Sequence, residues 1–243
     1  MKISALTKYL LVMMCLAISV GNVMASEREG VHVDRYFYEA LPVAGETGKK
    51  ETVEMEIRHS EKNIHYHAKI SSLISREEIR IETDKEGKFI SGTRQVLSYD
   101  QGLRTEEKIW REKDKVFMQG DGGGKERPKT FDVTEGNKVA VDGSLLLLLR
   151  FFPFERGETW KVFMVDFTGY AITVEVQLAG TEPIRVPAGT FECYRMEVIV
   201  GIPLLRPRII YWVTKDAPHF LVKNVGKRGP FTDTYVTTLI SRE

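Results

Sequence analysis

Alternation of apolar and polar side chains, repeated along most of the chain, limits the fold more than any other feature. Tyr170, Ile172, Val174, Val176 and Leu178 alternate with Ala171, Thr173, Glu175 and Gln177. A period of two sends successive side chains to opposite faces of a strand, so one face is buried and the other is wet. Val53, Met55 and Ile57 alternate in the same way with Glu54, Glu56 and Arg58, and Ile64, Tyr66, Ala68 and Ile70 with His65, His67 and Lys69. The polar residues 59–63 between these two runs predict a hairpin.

Further strands are predicted at 88–98, 103–111 and 115–119, with turns between them, and at 159–167 and 191–200. Pro187-Ala188-Gly189 reads as the turn before the last of these. Residues 208–214, 220–225 and 232–240 read as a three-strand meander. Residues 71–81 fit a helical turn or a strand edge. Residues 120–129, rich in glycine and charge, read as a mobile loop.

One segment reads as helical. Leu145 to Leu149 are five successive helix formers without β-branching, Asp142 or Ser144 can cap them, and Pro153 ends them. Apolar residues on every side predict a helix buried all round.

The first 25 residues read as a secretory leader. Lys2 and Lys8 precede an apolar run from Tyr9 to Val20, and Val23 and Ala25 suit a cut after Ala25. A membrane anchor needs about 20 apolar residues, and Gly21 and Asn22 end this run early. A lipoprotein signal needs a cysteine at the end of the run, and Cys15 lies in its middle. The expectation is therefore a cleaved signal peptide at 1–25, export to the periplasm, and a single β domain over 26–243 with no transmembrane segment.

Of 35 basic residues the leader removes two lysines and no acid, so 33 basic face 34 acidic side chains. That balance lacks the basic footprint of a nucleic-acid binder and does not favour an anionic membrane surface. Cys193 is left as the lone cysteine after cleavage, which excludes an internal disulfide. It reads as a small buried residue, with pairing between chains as the alternative.

Three stretches carry a family resemblance: Val141 to Trp160, with its leucine run and Gly157-Glu158-Thr159-Trp160; Val186 to Val198, beginning Val-Pro-Ala-Gly-Thr-Phe; and Tyr211 to Lys223, with Pro218-His219. In order and spacing they resemble the exported bacterial family known as domain of unknown function 3108. The resemblance is close over 135–240 and loose over 30–130. It implies a periplasmic, mainly antiparallel β protein without an established activity. The implied curved sheet is similar to that of lipoprotein-carrier proteins, whose half-barrel shelters acyl chains, a likeness of fold alone.

Candidate chemistry is sparse. His65 and His67 share a strand face, and with His59 they could bind zinc or copper. Lys69 on the same face favours a solvated surface instead. Gly120 to Lys125 lacks the spacing of a phosphate-binding loop, and Glu126 stands where its hydroxyl belongs. No Gly-x-Ser-x-Gly, His-Glu-x-x-His or Ser-x-x-Lys motif has a supporting context. Strand carboxylates read as solvated, and His219 as a turn cap rather than a base.

The aromatic set is more informative. The strands at 160–167 and 209–213 are apolar on both faces, which a sheet with one wet side does not need. Either the helix or a ligand covers the second face. The expected architecture is a single antiparallel, strongly curved sheet, a half-barrel, roll or barrel, with one short buried helix near 143–150. Trp160, Tyr170, Tyr194, Met196 and Trp212 are the expected ligand-binding residues, with no catalytic residue, metal or cofactor. The expected role is a non-catalytic binder or carrier of an apolar small molecule, a lipid or an envelope protein. The alternatives are an interaction module of the envelope and a hydrolase without a recognisable motif.

Overall fold

The computed structural model describes residues 31–45, 47–99, 102, 104–120, 128–141, 143–201, 207–227 and 233–243. The leader, most of the glycine-rich loop (121–127) and Asp142 lie outside the described residues. The chain forms β1 (His32–Pro42), β2 (Glu51–His59), β3 (Asn63–Ser71), β4 (Ser75–Asp84), β5 (Phe89–Ser98), β6 (Arg104–Glu112), β7 (Lys115–Gly120), β8 (Lys129–Asp132) and β9 (Lys138–Val141). Helix α1 (Ser144–Leu149) and a 3-10 turn (Phe154–Arg156) follow, then β10 (Thr159–Val165), β11 (Ala171–Val186), β12 (Gly189–Val200), β13 (Arg208–Thr214), β14 (Leu221–Lys227) and β15 (Thr234–Arg242).

All these strands belong to one sheet, in the order β8-β7-β6-β5-β4-β3-β2-β1-β15-β14-β13-β12-β11-β10-β9. Neighbours are antiparallel except β9, which lies parallel to β10. The sheet is not closed, and β8 and β9 are its two edges. The mainly antiparallel β architecture with one short helix agrees with the alternation. Residues 71–81 resolve toward the strand reading, as β4.

Register follows burial. Asp34, Ile57, Tyr66, Ile81, Gly92, Ile109 and Met118 lie side by side across β1–β7. One residue along, Arg35, Glu56, His67, Arg80, Thr93 and Lys108 form the opposite, polar row. On that face Arg35 Nε meets Glu56 at 3.0 Å and His67 Nε2 meets Glu78 at 2.6 Å. Exposed pairs contribute about 0–1 kcal/mol each, whereas burying an aliphatic side chain contributes about 1.5–3 kcal/mol. The apolar row therefore sets the register, and a slip by one residue would expose all of it.

The C-terminal half of the sheet is covered on both faces. Val162, Val174, Val176, Met196 and Val198 pack with Leu145, Leu148 and Leu149 of α1. Cys193, Trp212 and Leu221 belong to the other core, which also takes in Ile57, Ile81 and Ile109 from the N-terminal half and Leu147 from α1. Edge strand β9 contacts β5, and the Phe131 ring of β8 lies 6.5 Å from that of Phe163. The doubly apolar strands thus have protein on both sides.

Helix α1 connects the two halves. Leu145, Leu147, Leu148 and Leu149 are buried, Leu147 in the core shared with the N-terminal half and the other three in the core of the C-terminal half, and Leu146 is half-buried. Glycine is required at its start by close approach: a Cβ on Gly143 would stand 2.8 Å from the Tyr66 ring. The cap differs from expectation. Gly143 is the N-cap and has no side chain to donate or accept, while Ser144 Oγ accepts the Val141 N–H at 2.6 Å. Ser144 closes the end of β9 instead of the helix.

Candidate functional site

At the carboxyl end of α1 a pocket of about 490 Å³ opens between three turns. His59 and Ser60 come from the β2–β3 turn, Lys85 from the β4–β5 turn, and Ala217, Pro218 and His219 from the β13–β14 turn. Ile64 of β3 and Arg150 and Phe151, just past α1, complete the wall. Its size and mixed lining suit a small organic ligand, since such sites typically span 300–1,000 Å³ and combine apolar walls with a few polar groups. A cavity of about 520 Å³ on the polar face of β2–β5 is larger. Its lining includes the charged side chains of Glu56, Arg58, Arg80 and Glu82, and Glu56 pairs there with Arg58.

The fold dictates each polar group of the end pocket. Arg150 follows five leucines, so the helix carries its guanidinium into the interior, where the side chain is only 6% exposed. Nη2 donates to the Tyr36 hydroxyl at 3.0 Å, and Nη1 faces Asp34 Oδ2 at 3.5 Å. Nη1 and Oδ2 are both buried without a hydrogen bond among the described residues. His59 Nε2 stands 3.5 Å from the same carboxylate oxygen. Burial holds the His59 pKa below the usual histidine range, and the positive charge of Arg150 adds to this against the pull of Asp34. His219, at φ +55° after a cis Ala217–Pro218 bond, has its Nδ1 2.9 Å from the Thr214 carbonyl. A carbonyl only accepts, so Nδ1 carries a proton and donates it. His219 therefore ties the turn together. Ser60 Oγ donates to the Asn63 carbonyl at 2.8 Å, which engages its proton in the turn.

The five residues expected to bind ligand are divided by the fold. Trp160, Tyr194 and Met196 lie together on the α1 side of the sheet. Tyr194 stacks on Phe154 at 4.0 Å, Phe154 meets His219 at 4.8 Å, and Phe152 meets Trp160 at 4.9 Å. This aromatic chain runs from beneath α1 to the wall of the end pocket, and Met196 is sealed inside it. Trp212 faces the other way, because Tyr211 is the residue opposite Met196 and adjacent side chains alternate. Its Nε1 donates to Glu182 at 2.7 Å. Tyr170 is 60% exposed at the turn before β11. Arg150, Asp34, Lys85 and Phe151 were not among the expected residues. The signal available for them was the single charge that follows the leucine run.

The histidines are divided as well. His59 falls on the buried side of β2, and His65 and His67 on the polar side of β3. Among the described residues no group of three histidine, cysteine, aspartate or glutamate side chains is placed to hold a metal ion.

Cys193 is fully buried on β12, and burial, with the charges of Glu192 and Glu182, pushes its thiol up to about 12. The thiolate is the reactive form, so iodoacetamide at pH 7.5 is expected to leave Cys193 unmodified in the native protein and to alkylate it fully in guanidinium. Stoichiometric labelling of the folded protein in intact-mass spectra would contradict the burial.

At the opposite end of the sheet the turns are apolar. Leu41, Val43, Leu73, Ile74, Leu97 and Tyr99 are exposed, Leu73 at 84%. They lie where β1, β3 and β5 end, and the Tyr99 N–H donates to the Ile74 carbonyl at 2.8 Å, which joins two of the tips.

No described helix is long and apolar enough to cross a membrane. Neither the curated proteins nor the solved structures contain a match to the chain. One family model does match, over residues 52–225, from β2 through most of β14 and including α1 and the pocket residues His59 to His219. The chain belongs to that family, described as protein of unknown function (DUF3108).

Proposed function

We propose that the chain is an exported, periplasmic, non-catalytic protein that binds an apolar or amphipathic small molecule in the pocket at the carboxyl end of α1. The observation that carries this reading is the pocket itself, with Ile64, Phe151 and Pro218 as apolar surface beside a buried guanidinium. Phe151 is exposed there although it directly follows a buried segment, and an open aromatic wall beside a cavity suits a ligand. A sheet that curls around α1 like a half-barrel leaves its end accessible, which fits a carrier. The leader at 1–25 supports export. The engaged protons of Ser60 and His219 support binding rather than hydrolysis.

The test is equilibrium binding of an uncharged fluorescent acyl probe to the mature protein and to Ala217→Trp, which fills the exposed mouth of the pocket. Saturable binding with one site, weakened at least tenfold in the variant, is the expected result. An absence of saturable binding removes the carrier reading and leaves an exported β scaffold.

The exposed turns at the far end favour a second reading, a docking role toward an envelope component, because apolar side chains gathered on one rim mark interaction sites. Loss of an envelope cross-link in Leu73→Glu with Ile74→Glu, while probe binding persists, is the result expected from it.

A further inference from the structure

We infer that the end pocket selects amphiphiles with an anionic head, a carboxylate or phosphate, and that Arg150 and Lys85 make the selection. The inference rests on the binding reading above and adds to it the charge of the ligand.

Arg150 is the central observation. A guanidinium has five N–H donors. This one makes a single hydrogen bond to a described residue, to the neutral Tyr36 hydroxyl, and its Nη1 makes none. The nearest carboxylate is 3.5 Å away, beyond the usual span of a charge-assisted hydrogen bond. A charge held this deep, with Nη1 buried and without a hydrogen bond among the described residues, is normally completed by a partner. An anionic head in the pocket beside it would supply the missing acceptors. The surrounding charges agree. Lys85 and Arg150 line the pocket and no carboxylate among the described residues does, and Asp34, beside Arg150, sets one negative charge against these two positive ones. Ile64, Phe151 and Pro218 offer apolar contact for a chain attached to that head. A cationic head would meet Lys85 and Arg150 and be repelled, and a neutral head would leave Nη1 as it is.

The experiment displaces the uncharged acyl probe from the mature protein with dodecanoate, dodecyl phosphate, dodecanol and dodecylamine, and in parallel with acetate and inorganic phosphate. Dodecanoate and dodecyl phosphate are expected to bind at least tenfold tighter than dodecanol, with dodecylamine weakest. Lys85→Gln, a change at an exposed turn, is expected to narrow the preference several-fold, and Arg150→Gln to abolish it. Asp34→Asn, which leaves Arg150 as the pocket's uncompensated charge, is expected to widen it. Equal affinity for the acid and the alcohol overturns the selection while leaving the binding reading intact. Failure of every chain to displace the probe, or of the probe to bind, removes the binding reading itself. Acetate or inorganic phosphate matching the amphiphiles would overturn the inference by making this a plain anion site. A preference unchanged in both Lys85→Gln and Arg150→Gln would overturn the residue assignment.

Discussion

Leu149→Ala is expected to lower the unfolding free energy by about 2–5 kcal/mol, the range for removing a fully enclosed leucine side chain. Leu149 has no exposed surface and packs with the C-terminal half of the sheet, in the same cluster as Val162, Val176 and Met196. Alanine is the best helix former, so the loss measures the cavity and not the helix. For a domain of this size each kcal/mol lowers Tm by about 2–4 °C, and the change is read by calorimetry or urea titration. Leu146→Ala, at the half-buried position of α1, is the control and should cost much less. A Leu149→Ala protein as stable as the parent would show that α1 does not fill the space between the halves.

The second large effect belongs to Asp34 and Arg150. Asp34→Asn strands a guanidinium whose side chain is 6% exposed, and breaking a buried pair by removing one partner costs about 3–5 kcal/mol. Asp34→Asn combined with Arg150→Met should cost less than Asp34→Asn alone, because the charge left behind is also gone. A double-mutant cycle in urea reads the difference. Strict additivity would mean that the two groups do not interact.

His59 reports on the same cluster. Its pKa is depressed by burial and by Arg150, so Arg150→Met is expected to raise it, as followed by the titration of its ring protons by NMR. In the parent protein the unfolded chain takes up a proton near pH 6.5, where the folded state resists it. The contribution of His59 to stability is therefore present above that pH and is lost as the pH falls through its lower native pKa.

Much of this structure could be read from local pattern. The β2–β3 hairpin, the β13–β15 meander and the turn at Pro187 are visible because one face of each strand is buried and the alternation is unbroken. Helix α1 is visible because five apolar residues without β-branching between a glycine and a proline have few alternatives. Strand β4 is ambiguous because Glu77 falls on the apolar side, where Arg94 meets it at 2.7 Å. That inward ion pair interrupts the period. Strands β8 and β9 have four residues each, too few to show a period, and β9 is held parallel to β10 by packing that no local signal encodes.

The pocket was less legible. Its polar centre joins Arg150 to Tyr36 across 114 positions, and neither residue has a motif. Trp160, Tyr194 and Met196 lie together on the α1 side of the sheet, and none of them lines the pocket. Trp212 and Tyr170 were separated from them, because a one-residue step in a strand reverses the face and a turn releases its side chain to water.

The sequence by itself determined most of the longer strands, their buried faces, and helix α1 with its burial, since each depends on neighbours within a few residues; β1, β4, β8 and β9 were not determined in this way. Tertiary structure alone decided that β1 pairs with β15, that α1 lies between two halves of one sheet, and that Asp34, His59, Lys85, Arg150 and His219 meet at its end. Those meetings depend on which surfaces remain to be buried once the strands exist, a choice settled by the packing of the whole sheet.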